Sequence, residues 1–308
     1  MADTVDARCA RPRPSTWVTA PTLRIDVGEH TLTYRDLGPD QGVPLFLLTH
    51  LAATLDEWDP RFVDAFARDR RVIAVDLPGV GGSTGHVLGS IAEMAAVAEQ
   101  FMSALGLDRI DLYGFSLGGF IAQQVALDAP ELVRRLVLTG TGPAGGKGID
   151  RRTGGAYIYW DMVRGAVART DAKEFLFFPR TPRGKAAARE YLARLGERVM
   201  DRDSPISVPS FRRQIAVIRA WGSAPPQDLS RIVAPTLIGN GDHDRMVPTA
   251  LSHDMHERIP DSTLVIYPDA GHGGVFQYGD QFSATMREHL DGDGHSNDND
   301  NTTDRTPA

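Results

Sequence analysis

The run Leu112-Tyr113-Gly114-Phe115-Ser116-Leu117-Gly118-Gly119-Phe120 decides how this chain is read. An apolar stretch from Ile110 to Tyr113 leads into Gly114, Ser116 stands between Gly114 and Gly118, and an amphipathic stretch begins at Phe120. This is the pattern of a strand that turns sharply into a helix with a serine at the apex. Glycines two before and two after the serine suit a turn too tight for side chains. The helix N-terminus beneath the hydroxyl favours developing negative charge. G-x-S-x-G in this strand–turn–helix setting marks a nucleophile elbow. The plain alternative is a glycine-rich turn carrying an idle serine.

Working outward, residues 23–27 and 30–34 alternate polar and apolar around Gly28-Glu29 and predict an opening antiparallel hairpin. Residues 43–48 are continuously apolar, as expected of a strand buried on both faces, and end in His50-Leu51-Ala52-Ala53-Thr54. Residues 71–75 form the next strand, ending in Asp76-Leu77-Pro78-Gly79. Residues 90–105 have helical periodicity, with Ser90 as N-cap and Glu93 three residues on. Further strands are predicted at 133–138, 234–240 and 262–267, and helices at 249–258 and 275–290. Alternating strands and helices imply an α/β fold with a mostly parallel sheet and helices on both faces.

The alternation breaks between 144 and 226, where helical stretches are predicted at 156–168, 170–178, 185–197 and 210–221. The expected division is a flexible arm over 1–20, a core over 21–143 and 227–290, a helical insertion over 144–226, and a disordered acidic tail over 291–308. An insertion at the carboxyl ends of the strands is placed to cover a site there, rather than only to add packing.

The chain has 308 residues, of which 42% are hydrophobic, as in ordinary globular proteins. No apolar run reaches the about 20 residues of a membrane helix, and the first residues lack the apolar core of a secretory signal. A net charge of −7 speaks against nucleic acid or anionic membranes as partners. The single cysteine, Cys9, excludes an internal disulfide and fits a reducing compartment, so a cytoplasmic location is expected.

A serine hydroxyl needs a base within hydrogen-bond reach, and that base needs a buried carboxylate to orient it. His272 lies in a glycine-flanked loop after the last strand, and Asp244 in the loop after the strand before it. Asp242 is the competing acid. Asp244 is preferred because it takes the acid position of G-x-x-D-x-x-V-P, read here from Gly241 to Pro248. An acyl-transfer site also needs donors for an oxyanion. These are expected from the N–H of Leu117 and the N–H of Ala52, with Leu51 the neighbouring possibility and His50 bracing the loop. Candidate pocket residues are Leu51, Phe115, Tyr157, Trp160, Phe178, Trp221 and Val275. The histidines lack a carboxylate or cysteine framework for a metal, and neither metal nor cofactor is expected.

From about Leu23 to Leu290 the chain resembles the α/β-hydrolase fold superfamily. The likeness is carried by His50-Leu51-Ala52-Ala53-Thr54, Asp76-Leu77-Pro78-Gly79, Gly114 to Gly119, Gly241 to Pro248 and Gly271-His272. The resemblance implies an eight-stranded sheet, a helical cap at 144–226, and Ser116, His272 and Asp244 as nucleophile, base and orienting acid. Members commonly carry His-Gly where this chain has His50-Leu51, and leucine takes glycine's left-handed φ range only at a cost.

The expected activity is a serine hydrolase cleaving a small carboxylic ester or lactone through an acyl-enzyme. A cofactor-free haloperoxidase (perhydrolase) or a carbon–carbon bond hydrolase would share the same triad. From another class, a slow or non-catalytic ligand receptor would use the same pocket. No oligomeric state is legible.

Overall fold

Burial explains the continuous apolar runs. Every residue of β3 (Leu45–Leu48), β4 (Val72–Asp76) and β5 (Ile110–Phe115) is buried, because each strand is covered on both faces. The structure is a computed structural model and describes residues 16–152 and 156–292. The expectations made for Cys9 and for most of the arm and tail lie outside those residues, as does the side chain of Tyr157.

With β1 (Leu23–Val27), β2 (His30–Leu37), β6 (Val133–Thr139), β7 (Thr236–Gly241) and β8 (Ser262–Tyr267), the strands form one eight-stranded sheet. Its order is β1-β2-β4-β3-β5-β6-β7-β8. Only the β1–β2 and β2–β4 pairs are antiparallel. Leu48 lies opposite Gly114, and Phe115 opposite Thr139. The turn after β5 therefore opens between the loops that follow β3 and β6, while β7 and β8 end together at Gly241 and Tyr267.

The helices follow local signals. In α1 (Pro60–Ala67), Asp59 caps the Arg61 N–H and Pro60 occupies the first turn. In α2 (Ile91–Ala104), Ser90 accepts from the Glu93 N–H while Glu93 accepts from Gly89, close to the capping box expected. The elbow helix is α3 (Leu117–Asp128).

Between β6 and β7 lie α4 (Ala156–Ala168), α5 (Lys173–Leu176), α6 (Pro182–Leu195) and α7 (Val208–Ser223). The helix expected over 170–178 is only the four-residue α5. Asp171 accepts from the Lys173 N–H at its start, and Pro179 disfavours helical backbone at Phe178. After β7 come α8 (Ala250–Arg258), α9 (Gly274–Gln277) and α10 (Gly279–Asp291). The single helix expected over 275–290 is split at Tyr278, whose ring stacks on Tyr267 at 4.8 Å and whose hydroxyl donates to the Pro268 carbonyl.

The arm also ends earlier than expected. Trp17 and Ala20 are buried, and Arg198 donates to the carbonyls of Trp17, Val18 and Ala20 at 3.3, 3.0 and 2.8 Å. The insertion thus holds residues 17–20 against the body. No helix among the described residues is long and apolar enough to cross a membrane.

Candidate active site

Ser116 sits at the apex with φ 56° and ψ −115°, a conformation an L-residue adopts only under constraint. The constraints are visible. Its N–H donates to the Thr139 carbonyl at 2.9 Å, and its own carbonyl accepts from Thr141 Oγ1 at 2.9 Å. A Cβ at Gly114 would come 2.5 Å from the Gly118 carbonyl oxygen, and one at Gly118 would overlap the Leu48 backbone. Both flanking glycines are required by this close approach.

Asp244 and His272 meet across the loops after β7 and β8. Asp244 Oδ2 lies 2.8 Å from His272 Nδ1, and both side chains are fully buried. Asp244 Oδ1 accepts from the N–H groups of Met246 at 2.8 Å and Val247 at 3.0 Å, which fixes the carboxylate plane. A carboxylate only accepts, so Nδ1 donates, and in the neutral ring Nε2 is then the nitrogen that can accept a proton. His272 Nε2 is buried with no partner among the described residues. Its ring packs against Phe115 and Phe177 at 5.1 and 5.4 Å between centroids. Asp242 does not reach His272. It accepts from the N–H groups of Asp269 and Ala270, each at 3.1 Å, and so ties the two loops together.

His272 and Ser116 line the same cavity of about 230 Å³. Its walls also include His50, Leu51, Ala52 and Met246 from the core side, and Ile158, Met162, Lys173, Leu176, Phe177, Val208 and Phe211 from the insertion. Among the described residues Lys173 is the cation on this wall, and its ammonium is already shared by Glu57 at 2.8 Å and Asp171 at 2.7 Å. His50 is buried, and that burial, with the Lys173 charge adding to it, pushes its pKa down to about 3.

The loop expected to supply an oxyanion donor departs from expectation. The Ala52 N–H is not turned to an open site: it donates to Gln214 Oε1 on α7 at 2.8 Å. The Leu51 N–H has no acceptor among the described residues, and Leu117, first residue of α3, has an N–H with no intrahelical partner. The left-handed residue is Ala52, at φ 63°, so the expected cost of leucine in glycine's place does not arise at Leu51. His50 Nδ1 donates to the Leu51 carbonyl at 2.8 Å, the bracing contact expected of it.

Of the pocket candidates, Leu51 lines the cavity. Phe115 does not, because it lies fully buried beneath His50 and His272. Trp160 is 67% exposed. It lies two residues from both Ile158 and Met162, which turns it to the other side of α4. Trp221 is drawn away by stacking on Phe120 at 5.5 Å and by donating to the Gly142 carbonyl. Phe178 packs on Tyr191, and Val275 packs beside Gly239. The lining residues missed in the sequence carry a partial signal: Ile158/Met162 and Val208/Phe211 have helical spacing. That spacing marks a face without telling cavity from core. Among the described residues no group of three or more His, Cys, Asp or Glu is placed to hold a metal ion.

Comparison with known proteins bears on the fold and the family. The family profile described as alpha/beta hydrolase fold matches residues 43–277. A 2-hydroxy-6-oxononadienedioate/2-hydroxy-6-oxononatrienedioate hydrolase of Pseudomonas sp is 29% identical, over 75% of this chain and 81% of its own. A pimeloyl-[acyl-carrier protein] methyl ester esterase of Nitrosomonas europaea is 27% identical, over 80% of this chain and 93% of its own. An alpha/beta hydrolase fold protein of Chitinophaga pinensis superposes with a TM-score of 0.83 at 33% identity, covering 89% of this chain and 98% of that one.

Proposed function

Because the chain belongs to the alpha/beta hydrolase fold family, we propose that it is a serine hydrolase of small, uncharged carboxylic esters or lactones. One observation carries this reading: His272 is held by Asp244 on one nitrogen and leaves the other unpartnered on the wall of the cavity that Ser116 lines.

In this reading Ser116 Oγ attacks the carbonyl carbon while His272 Nε2 takes its proton. Asp244 keeps the ring oriented and stabilises the imidazolium. The oxygen that becomes negative is met by the N–H groups of Leu117 and Leu51, since the Ala52 N–H is engaged by Gln214. His272 then returns the proton to the leaving alcohol, and water activated by the same nitrogen releases the acid. The insertion acts as the lid.

The substrate class follows from the walls. Ile158, Met162, Leu176, Phe177, Phe211 and Met246 present apolar surface to an acyl group. Lys173 supplies no net attraction for a carboxylate, because two carboxylates already share it. Neutral esters are therefore expected to be turned over faster than esters carrying a terminal carboxylate.

The test is hydrolysis of short-chain p-nitrophenyl esters and small lactones by wild type and Ser116→Ala, prepared identically. The rate should fall by about 10⁴-fold on removal of the hydroxyl. Equal turnover by the two proteins would sink the proposal. The same panel, extended to acetate with peroxide and to a vinylogous diketone, separates ester cleavage from perhydrolysis and carbon–carbon cleavage.

A further inference from the structure

Resting on the hydrolase reading above, we infer that Gln214 is a positioning residue: from the helical insertion it clamps the Leu51–Ala52 peptide and so aims the oxyanion donor at the substrate. The argument starts with that one peptide unit. Its carbonyl accepts from His50 Nδ1 at 2.8 Å, and its N–H donates to Gln214 Oε1 at 2.8 Å. A peptide is planar, so bonds at both ends fix its plane. The Leu51 N–H belongs to the next unit upstream and turns about that fixed plane.

The conformation held this way is not one the loop would choose unaided. Ala52 is left-handed at φ 63°, which costs an L-residue roughly 1–2 kcal/mol. Such backbone persists where its surroundings over-determine it. Within the loop, the turn is closed by the Ala53 N–H donating to the His50 carbonyl at a long 3.3 Å. A further restraint comes from 162 residues away, through a side chain that is itself buried. The amide orientation is set by chemistry: a backbone N–H needs an acceptor, so Oε1 faces Ala52.

The contact ties two parts of the site together. Val208 and Phe211 of α7 line the cavity, and Gln214 is one turn further along the same helix. A substrate that packs on Phe211 therefore bears on the helix that holds the oxyanion loop. His50 supplies the opposite restraint from a ring wedged against Phe115 and Phe177 at 5.4 and 5.0 Å. Because burial keeps this ring neutral, the restraint should not switch with pH in the neutral range.

The experiment uses a fluorophosphonate, whose reaction with Ser116 develops negative charge on oxygen and needs no knowledge of the natural substrate. Second-order labelling rates are measured for wild type, Gln214→Met and Gln214→Ala, with Ser116→Ala as the blank and thermal melts alongside. Methionine keeps the length and removes the amide acceptor. Labelling by Gln214→Met should slow by about 10- to 100-fold, part of what losing a whole oxyanion donor costs. With any ester the wild type turns over, kcat should fall while KM stays within about twofold. A purely structural glutamine would lower the melting temperature and leave the labelling rate of the folded protein unchanged, which overturns the inference. If the wild type itself is labelled no faster than Ser116→Ala, the hydrolase reading fails and takes this inference with it, a different result from a labelled wild type with an unaffected Gln214→Met. Should neither Gln214 variant fold, amide exchange in the wild type decides. Slow exchange at Ala52 supports the clamp, and exchange as fast as that of exposed loop amides overturns it.

Discussion

On the floor of the cavity, polar groups sit at the ends of β5, β7 and β8, each held by hydrogen bonds, His272 by the Asp244 carboxylate. Ser116 is held through Thr139 and Thr141, and Asp244 through the Met246 and Val247 amides. On the roof, α4, α5 and α7 offer mainly alkyl and phenyl surface. The difference separates two jobs. Chemistry needs atoms placed to a fraction of an ångström, and strand ends joined by a parallel ladder supply that rigidity. Recognition of an apolar group needs only shape and dryness, which helices of many sequences can provide. Residues that cross between the regions include Lys173, which pairs with Glu57, Gln214, and Phe177, whose ring meets His50, Phe115 and His272.

Three measurements sharpen or break that comparison, beyond the Ser116 and Gln214 tests above. The largest effect is expected at the crossing point. Phe177 is buried, its carbonyl accepts from the Gly273 N–H at 2.8 Å, and its ring also reaches Tyr191. Phe177→Ala should cost about 3–5 kcal/mol in urea unfolding through the cavity it leaves. A loss under about 1 kcal/mol would mean that floor and roof are independent.

Next in size, taken per histidine, is a pH effect to which the floor contributes through His50. His50 has a folded pKa of about 3, and burial also lowers His289, to about 4. Between those values and 6.5 the unfolded chain binds protons that the folded chain does not. Stability is thus fully present above pH 6.5 and is lost as pH falls through that window, at up to about 1.4 kcal/mol per pH unit for each group. Urea unfolding at pH 7 and pH 4.5 should show this loss, and His50→Asn should remove about half of it. An unchanged slope would show that the loop carrying His50 opens to water before the protein unfolds.

The smallest effect is a contrast within the roof. Phe211→Ala should raise KM for medium-chain esters by about tenfold, through the apolar area it no longer buries against the substrate. Trp160→Ala should leave KM unchanged and stability within about 0.5 kcal/mol, as expected of an exposed side chain. If the tryptophan variant is the one that loses affinity, α4 faces the other way when substrate is bound.

Period, punctuation and a short motif are local properties of a chain, and they determined a great deal here. Continuous apolar runs announced the buried strands, alternation announced the hairpin, and Gly114-Phe115-Ser116-Leu117-Gly118 announced the turn at which β5 becomes α3. Asp244 and His272 were named from their place after strands, because the end of a parallel strand points to the same edge in every unit. Tertiary structure decided whatever depends on rotation about a helix or on a partner far along the chain. Trp160 faces solvent and Ile158 the cavity, although both lie on one apolar stretch. The Ala52 N–H went to Gln214 rather than to an open site, since a backbone donor takes whichever acceptor packing brings within reach, and nothing in His50-Leu51-Ala52-Ala53 says that a glutamine from α7 will arrive there.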